Sequence, residues 1–458
     1  MIRAVSIVSF VMVMTLHSLF AQDSIPTLEY QTHYKDAMKR TEWWRESRFG
    51  MFIHFGAYSV AARGEWVKSN ERLTNDQYQK YIDTFNPTDF DAKKWAKAAK
   101  AAGMKYAVLT AKHHDGYCLF DSKLTDYKLS KQFNGRDLVR EFLDAFRAEG
   151  LKVGLYYSII DWHHSDYPNV GNHPQRNDIE YSKKSFNWDN YLKYMHGQVE
   201  ELAKNYGKLD IMWFDFSFGE YEGEKWKAKE LVKMVRKYQP VIILDSRLYK
   251  NEGSSSKQRM MREVGDFETP EQGIPEAPLV DKYGNSLPWE TCMTLNNHWG
   301  YFEADKNWKS PQLIVNCLVN TVSKNGNLLL NVGPDGRGNI PAESLRILSE
   351  VGNWLIINGE SIYGCGATKL PKPDWGRYTQ KGNFVYAHWL NTNLGDINAK
   401  GVNGDDIKSV NLLSSNAELT YRKSWWGNTD AGNLFIKVGD SPEPQDLLDT
   451  VIKIDMKK

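Results

Sequence analysis

The chain has 458 residues, 41% of them hydrophobic and 25% charged, which is ordinary globular material for one large domain and a smaller one. Its formal net charge is +1 and its charges are spread without runs, so it has no electrostatic face for nucleic acid or anionic lipid and a neutral substrate is expected. Aromatic residues make up 13%, enough to fill a core and still offer flat apolar surfaces to a sugar.

The first 21 residues, "MIRAVSIVSFVMVMTLHSLFA", pair an early Arg3 with an apolar stretch from Val5 to Leu16 and end in small Ala21. This is the pattern of a secretory signal cleaved after Ala21, which predicts a secreted or periplasmic protein. His17 and Ser18 interrupt the apolar run below the ~20 residues that span a bilayer, so no membrane association is expected once the signal is removed. Cys118, Cys292, Cys317 and Cys365 lie far apart with no CxxC pair, which argues against a zinc knuckle or a disulfide framework.

From residue 49 onward, strand-like apolar runs alternate with amphipathic helical ones. "FGMFIHFG" (49–56) reads as a strand. A helix over 89–103 ends in Gly103 and leads into the strand "KYAVLTAKHH" (105–114). The helix "RDLVREFLDAFRAEG" puts Leu138, Val139, Phe142, Leu143 and Phe146 on one face, stops at Gly150, and precedes the strand "KVGLYYSII" (152–160). The helix over 187–207 leads to "LDIMWFDFS" (209–217), a helix over 224–238 to "PVIILDSR" (240–247), and "NGNLLLNVG" (325–333) precedes a helix over 342–359. Strands apolar on both faces and separated by helices indicate a parallel sheet covered by helices. Repetition of the unit favours a closed (β/α)8-like, TIM-type barrel, and no GxGxxG opens a helix as an open dinucleotide-binding sheet would require. The catalytic barrel is expected over 22–361, with long loops at 57–88, 161–186 and 248–288. Polar and apolar residues then alternate between Gly and Asn turns, which predicts a C-terminal antiparallel β-sandwich over 362–458.

In such a barrel the reacting groups project from the C-terminal ends of the strands. The expected strand-end residues are His54, His113 and His114, Tyr157, Asp215 beside Trp213, and Arg247. An acid in an apolar strand suits a nucleophile, which must be ionised, dry and rigidly held; Arg247 on the next strand would keep it charged. A structural ion pair of Asp215 and Arg247 is the alternative. A metal site is not expected, because there is no HExxH and no second His cluster at ligand spacing, and adjacent His113 and His114, which on a strand point to opposite faces, could both reach one ion only if the strand has already ended there. Neutral imidazoles bonding to sugar hydroxyls account for a histidine-rich mouth.

The stretches "RFGMFIHFGAYSVAARGEWV", "LTAKHHDGYCLF", "VGLYYSIIDWHH", "IMWFDFS", "WETCMTLNNHWGY" and "NGNLLLNVGPDGRGNIP" together resemble glycoside hydrolase family 29, the α-L-fucosidases, over about residues 30–365. The resemblance implies a barrel followed by a β-sandwich, hydrolysis of terminal α-L-fucose with retention, and no metal or other cofactor. It implies Asp215 as nucleophile and a fucose pocket lined by His54, Glu65, Trp66, His113, His114, Tyr157, Trp213, Arg247 and Trp299. The general acid/base falls in "GDFETPEQ", where the family's Thr-Pro-Glu pattern selects Glu271 over Glu268; Glu65 and Glu290 are weaker candidates. Retention needs two carboxyl groups about 5–5.5 Å apart. The methyl group of fucose calls for an apolar wall, for which Trp299 or Phe55 is the expected source. A related 6-deoxy or galacto-configured sugar, or a binding protein without catalysis, are the other readings; the linkage cleaved is not legible.

Overall fold

The computed structural model describes residues 26–249, 265–391, 395–423, 433–441 and 443–457, and the expected signal segment lies outside them. Seven parallel strands form one curled sheet: β1 (Phe49–Ile53), β2 (Tyr106–Lys112), β3 (Lys152–Ser158), β4 (Ile211–Asp215), β5 (Ile243–Leu244), β6 (Glu290–Thr294) and β7 (Asn327–Val332), in the order β5-β4-β3-β2-β1-β7-β6.

Alternation along these strands sorts the side chains into two layers. Phe52, Tyr106, Val108, Tyr156, Ile211, Trp213, Ile243, Cys292 and Leu329 pack together on the inner face. Met51, Ile53, Leu109, Leu155, Met212, Phe214, Leu328 and Leu330 face outward under the helices. Each fully buried side chain of this size contributes ~1.5–3 kcal/mol of transfer free energy. The covering helices begin at side-chain caps, with Asp91 accepting from the Lys93 and Lys94 amides and Asp137 from that of Arg140. Gly103 (φ +82°) and Gly150 (φ +78°) then take the left-handed turn that sends the chain from helix back into strand.

The eighth position of the barrel is not a regular strand. Parallel bridges join Asp245 to Phe267, Glu268 to Trp289 and Glu271 to Cys292, so the segment 266–271 spans the gap between β5 and β6. Pro270 has no amide proton and accepts from the Cys292 amide through its carbonyl, which prevents a continuous ladder. Below the sheet a short helix, Glu42–Ser47, plugs the floor: Trp44 packs on Phe267 and donates to Glu290 at 3.3 Å.

Toward the C-terminus, β8 (Gly376–Lys381), β9 (Phe384–Trp389), β11 (Ile407–Leu412) and β14 (Thr450–Met456) form one antiparallel sheet, and β10 (Ile397–Asn403), β12 (Tyr421–Lys423) and β13 (Asn433–Ile436) another. Tyr378, Val385 and Ile452 from the first share a core with Ile397, Ala399 and Leu434 from the second, which makes the pair a β-sandwich. The sandwich rests on the helix Ala342–Asn358 through Trp354, whose indole donates to the Asp449 carbonyl at 2.9 Å, and through Lys453 and Glu360 at 2.6 Å.

Candidate active site

The ends of the strands converge on Arg247. Asp215 closes β4, facing inward like Trp213 two residues before it. Its Oδ1 accepts from Arg247 Nη1 at 2.8 Å and its Oδ2 from the Tyr156 hydroxyl at 2.8 Å. The guanidinium lies 4.5 Å over the Trp213 ring, takes Thr269 Oγ1 on Nε at 2.8 Å, and gives Nη2 to Glu271 Oε2 at 2.8 Å. Both carboxylates therefore sit on one planar fork, whose fixed geometry holds them close together. Glu268 is elsewhere: its Oε2 accepts from Ser246 at 3.1 Å. Burial works to raise the Asp215 carboxyl, yet the Arg247 charge and the hydrogen bonds from Arg247 and Tyr156 outweigh it and hold the group below the usual carboxylate range.

Three imidazoles form the facing wall. His54 Nδ1 meets Asn331 Oδ1 at 2.7 Å, and the Asn331 amide nitrogen is engaged on the Trp299 carbonyl at 2.7 Å. The histidine must then donate from Nδ1, leaving Nε2 as an acceptor. The same logic applies to His114: Ser158 Oγ donates to the Ile160 carbonyl at 2.7 Å, so His114 Nδ1 donates to Ser158 at 2.7 Å. Burial pushes His54 down to about 3, His114 down to about 4 and His113 well below its ordinary value, so all three rings are neutral near pH 7. His113 Nδ1 is buried with no hydrogen-bond partner among the described residues. Glu65 Oε2 accepts from the Gly300 amide at 2.8 Å, Trp66 packs on His114, and Trp299 lies 5.1 Å from His54.

Tyr157 departs from expectation. Its hydroxyl donates to Gln198 at 2.7 Å beneath a helix, while its neighbour Tyr156, inward by strand parity, reaches Asp215. Phe55 likewise packs outward on Phe85, Phe90 and Trp95, whereas Phe52 stands 5.2 Å from Trp213 and 6.0 Å from Trp299. Asn331, Tyr156 and Phe52 are the site residues that sequence reasoning missed. Glu290 lies on the barrel floor against Tyr106 and Trp44.

A cavity of about 160 Å³ opens beside Asp215 and Arg247, lined also by Phe216, Ser217, Phe218 and Tyr249. A larger groove of about 1150 Å³ runs on the outer surface between the helices Ala92–Ala101 and Leu138–Ala148, and none of the expected site residues lines it. Among the described residues no group of three or more His, Cys, Asp or Glu is placed to hold a metal ion, and no helix is long and apolar enough to cross a membrane.

A family model described as alpha-L-fucosidase matches residues 17–360. The tissue alpha-L-fucosidase of Homo sapiens is 30% identical over 444 residues, covering 89% of this chain and 87% of that protein. Among solved structures, alpha-L-fucosidase isoenzyme 1 from Paenibacillus thiaminolyticus is similar with a TM-score of 0.88 at 52% identity, over 92% of this chain and 100% of that one. A GH29 alpha-L-fucosidase from Bacteroides thetaiotaomicron, solved as a trapped covalent intermediate with 2-fluoro-fucosyl fluoride, is similar with a TM-score of 0.78 at 28% identity, over 92% and 96% of the two chains.

Proposed function

The chain belongs to the α-L-fucosidase family, and from that premise and the geometry of the barrel mouth we infer that it is a retaining exo-α-L-fucosidase that removes terminal fucose from glycans through a covalent glycosyl-enzyme intermediate. The observation that carries the assignment of roles is the sharing of Arg247 by Asp215 and Glu271. Asp215 is the nucleophile. A carboxylate oxygen attacks the anomeric carbon as its bond to the leaving oxygen breaks, and Glu271 gives that oxygen its proton. Water then attacks the same carbon, its proton passes to Glu271, and the Asp215 carboxylate is released.

Substrate hydroxyl groups donate to Nε2 of neutral His54 and His114, and Glu65 and Trp66 complete the polar rim. The methyl group of fucose fits the inward rings of Phe52, Tyr156, Trp213 and Trp299, an apolar wall that disfavours the extra hydroxyl of the corresponding galacto sugar. Apolar exclusion of a hydroxyl discriminates only ~10²-fold, so weak activity on galactosides accompanies the main one. Residues 22–361 form the catalytic unit and 362–458 the sandwich, and the first 21 residues direct export. Mass analysis of the mature protein from expressing cells checks that last point.

The test of mechanism uses an activated aryl α-L-fucoside. The first-formed fucose should be the α-anomer by NMR. Asp215→Ala should lose nearly all hydrolysis; Glu271→Ala should lose ~10²–10⁴-fold on unactivated fucosides and regain turnover of the aryl substrate with azide. Azide rescue of Glu268→Ala instead, or an inverted first product, overturns the reading.

A further inference from the structure

Two of the three imidazoles at the barrel mouth end chains of hydrogen bonds that start at a backbone carbonyl. A carbonyl accepts and never donates, so it fixes the direction of every bond that follows it. The Trp299 carbonyl accepts from Asn331 Nδ2 at 2.7 Å, which turns Asn331 Oδ1 toward His54 Nδ1, also at 2.7 Å. The flipped amide would set two oxygens against each other with no hydrogen between them. The Ile160 carbonyl takes the hydrogen of Ser158, whose oxygen then accepts from His114 Nδ1 at 2.7 Å. In both chains the ring hydrogen is drawn to Nδ1, and Nε2 is left as a bare acceptor.

The first of these anchors is itself held on its other side. The peptide whose carbonyl serves Asn331 gives its N–H, that of Gly300, to Glu65 Oε2 at 2.8 Å. A Cβ at Gly333 would stand 2.7 Å from the Trp299 carbonyl, and one at Gly300 would stand 2.9 Å from the Glu65 amide nitrogen. The loop comes this close because both positions lack a side chain. His54, His114, Asn331 and Ser158 are all buried, which keeps bulk water from reordering the chains. His113 provides the contrast: its Nδ1 is buried with no hydrogen-bond partner among the described residues, and no such chain reaches that nitrogen.

We propose that Asn331 and Ser158 are positioning residues, each holding one imidazole with Nε2 unprotonated, so that the pocket recognises sugar hydroxyls by the hydrogens they donate. On the fucosidase reading, which this role presupposes, the pocket has a polarity as well as a shape. Fluorine in place of a contacted hydroxyl comes near its size and cannot donate, so the site rejects it.

Selective nitrogen-15 labelling of histidine with long-range proton–nitrogen spectra reports which ring nitrogen carries hydrogen, and His54→Gln and His114→Gln identify the signals. In wild type near pH 7 both rings should carry hydrogen on Nδ1 alone. Asn331→Leu should move it to Nε2 in His54 only, and Ser158→Ala in His114 only, each raising KM for an aryl α-L-fucoside about tenfold with a smaller change in kcat. Methyl α-L-fucosides with single hydroxyls replaced by fluorine or by hydrogen are compared as competitive inhibitors. At the hydroxyls these histidines contact, fluorine should weaken wild-type binding as much as deletion does, and its penalty should shrink in the variant whose histidine has switched. Hydrogen on Nε2 of either ring in wild type overturns the proposal. A KM rise with the tautomer unchanged, or a switched tautomer with KM unchanged, overturns it as well, and so do fluorinated sugars that all bind wild type as tightly as the parent. Where thermal denaturation shows that a variant has not folded, the wild-type spectrum and inhibitor series decide. Wild type that turns over no fucoside sinks the fucosidase reading, while the spectra still judge the tautomers.

Discussion

Arg247 is the residue on which the proposed chemistry turns. Burial drives its neighbour Asp215 toward the protonated form, and the guanidinium is the largest influence opposing it. As the proposed nucleophile Asp215 must be ionised to attack, so activity should be present above its pKa and be lost as pH falls through it. Replacing Arg247 by Met removes the opposition, and the acidic limb of the kcat/KM profile should move to higher pH; a limb that stays in place would separate Arg247 from the ionisation of Asp215. Much of this was legible beforehand, because polar residues that end apolar strands are conspicuous, and Asp215 and Arg247 were found that way. Tyr156 was not, since two adjacent tyrosines look alike until the register of β3 on β4 sets Tyr156 opposite Trp213. Phe52 and Phe55 were confused for the same reason of parity.

The strand β6 carries a second buried acid with a different fate. Burial raises Glu290 from an ordinary 4.5 to about 7, against hydrogen bonds from Tyr106 and Trp44 that favour its charged form. The folded protein holds this proton where the unfolded chain has lost it, so this contribution to stability is full below the unfolded value and disappears as pH rises through about 7. In Glu290→Gln the dependence is absent. Its stability relative to wild type should therefore improve between pH 5 and pH 8 by about 2.5 kcal/mol, most of the linkage equivalent of that rise, as read by urea unfolding. A constant difference would mean that Glu290 does not titrate there. The helix-to-strand alternation made most of the sheet readable, but the segment 266–271 has neither period: Thr269 and Pro270 interrupt it, and only pairing on both sides reveals it as the eighth stave. The helix Glu42–Ser47 was invisible for a simpler reason, as six residues are too few to display a period.

Across the whole molecule, barrel and sandwich share apolar core. Tyr386 and Val451 of the sandwich pack with the barrel's outer layer, and a buried His388 bridges Thr379 at 3.0 Å and Asp449 at 2.6 Å beside the Trp354 contact. The composition change near residue 362 announced a second unit but carried no sign of how tightly it is joined, because those contacts run between residues distant in sequence. Calorimetry of the full chain should show one cooperative transition, and a chain ended at Tyr363 should show none; two separated transitions would mean that the units fold independently. At the mouth of the barrel, the pairing of two acids with a single arginine has an electrical outcome. In the proposed mechanism, once the sugar is bonded to Asp215 and the departing alcohol has taken its proton from Glu271, the Glu271 carboxylate takes over the negative role. Arg247, bonded to both acids, is placed to serve first one and then the other as counterion across its own fork.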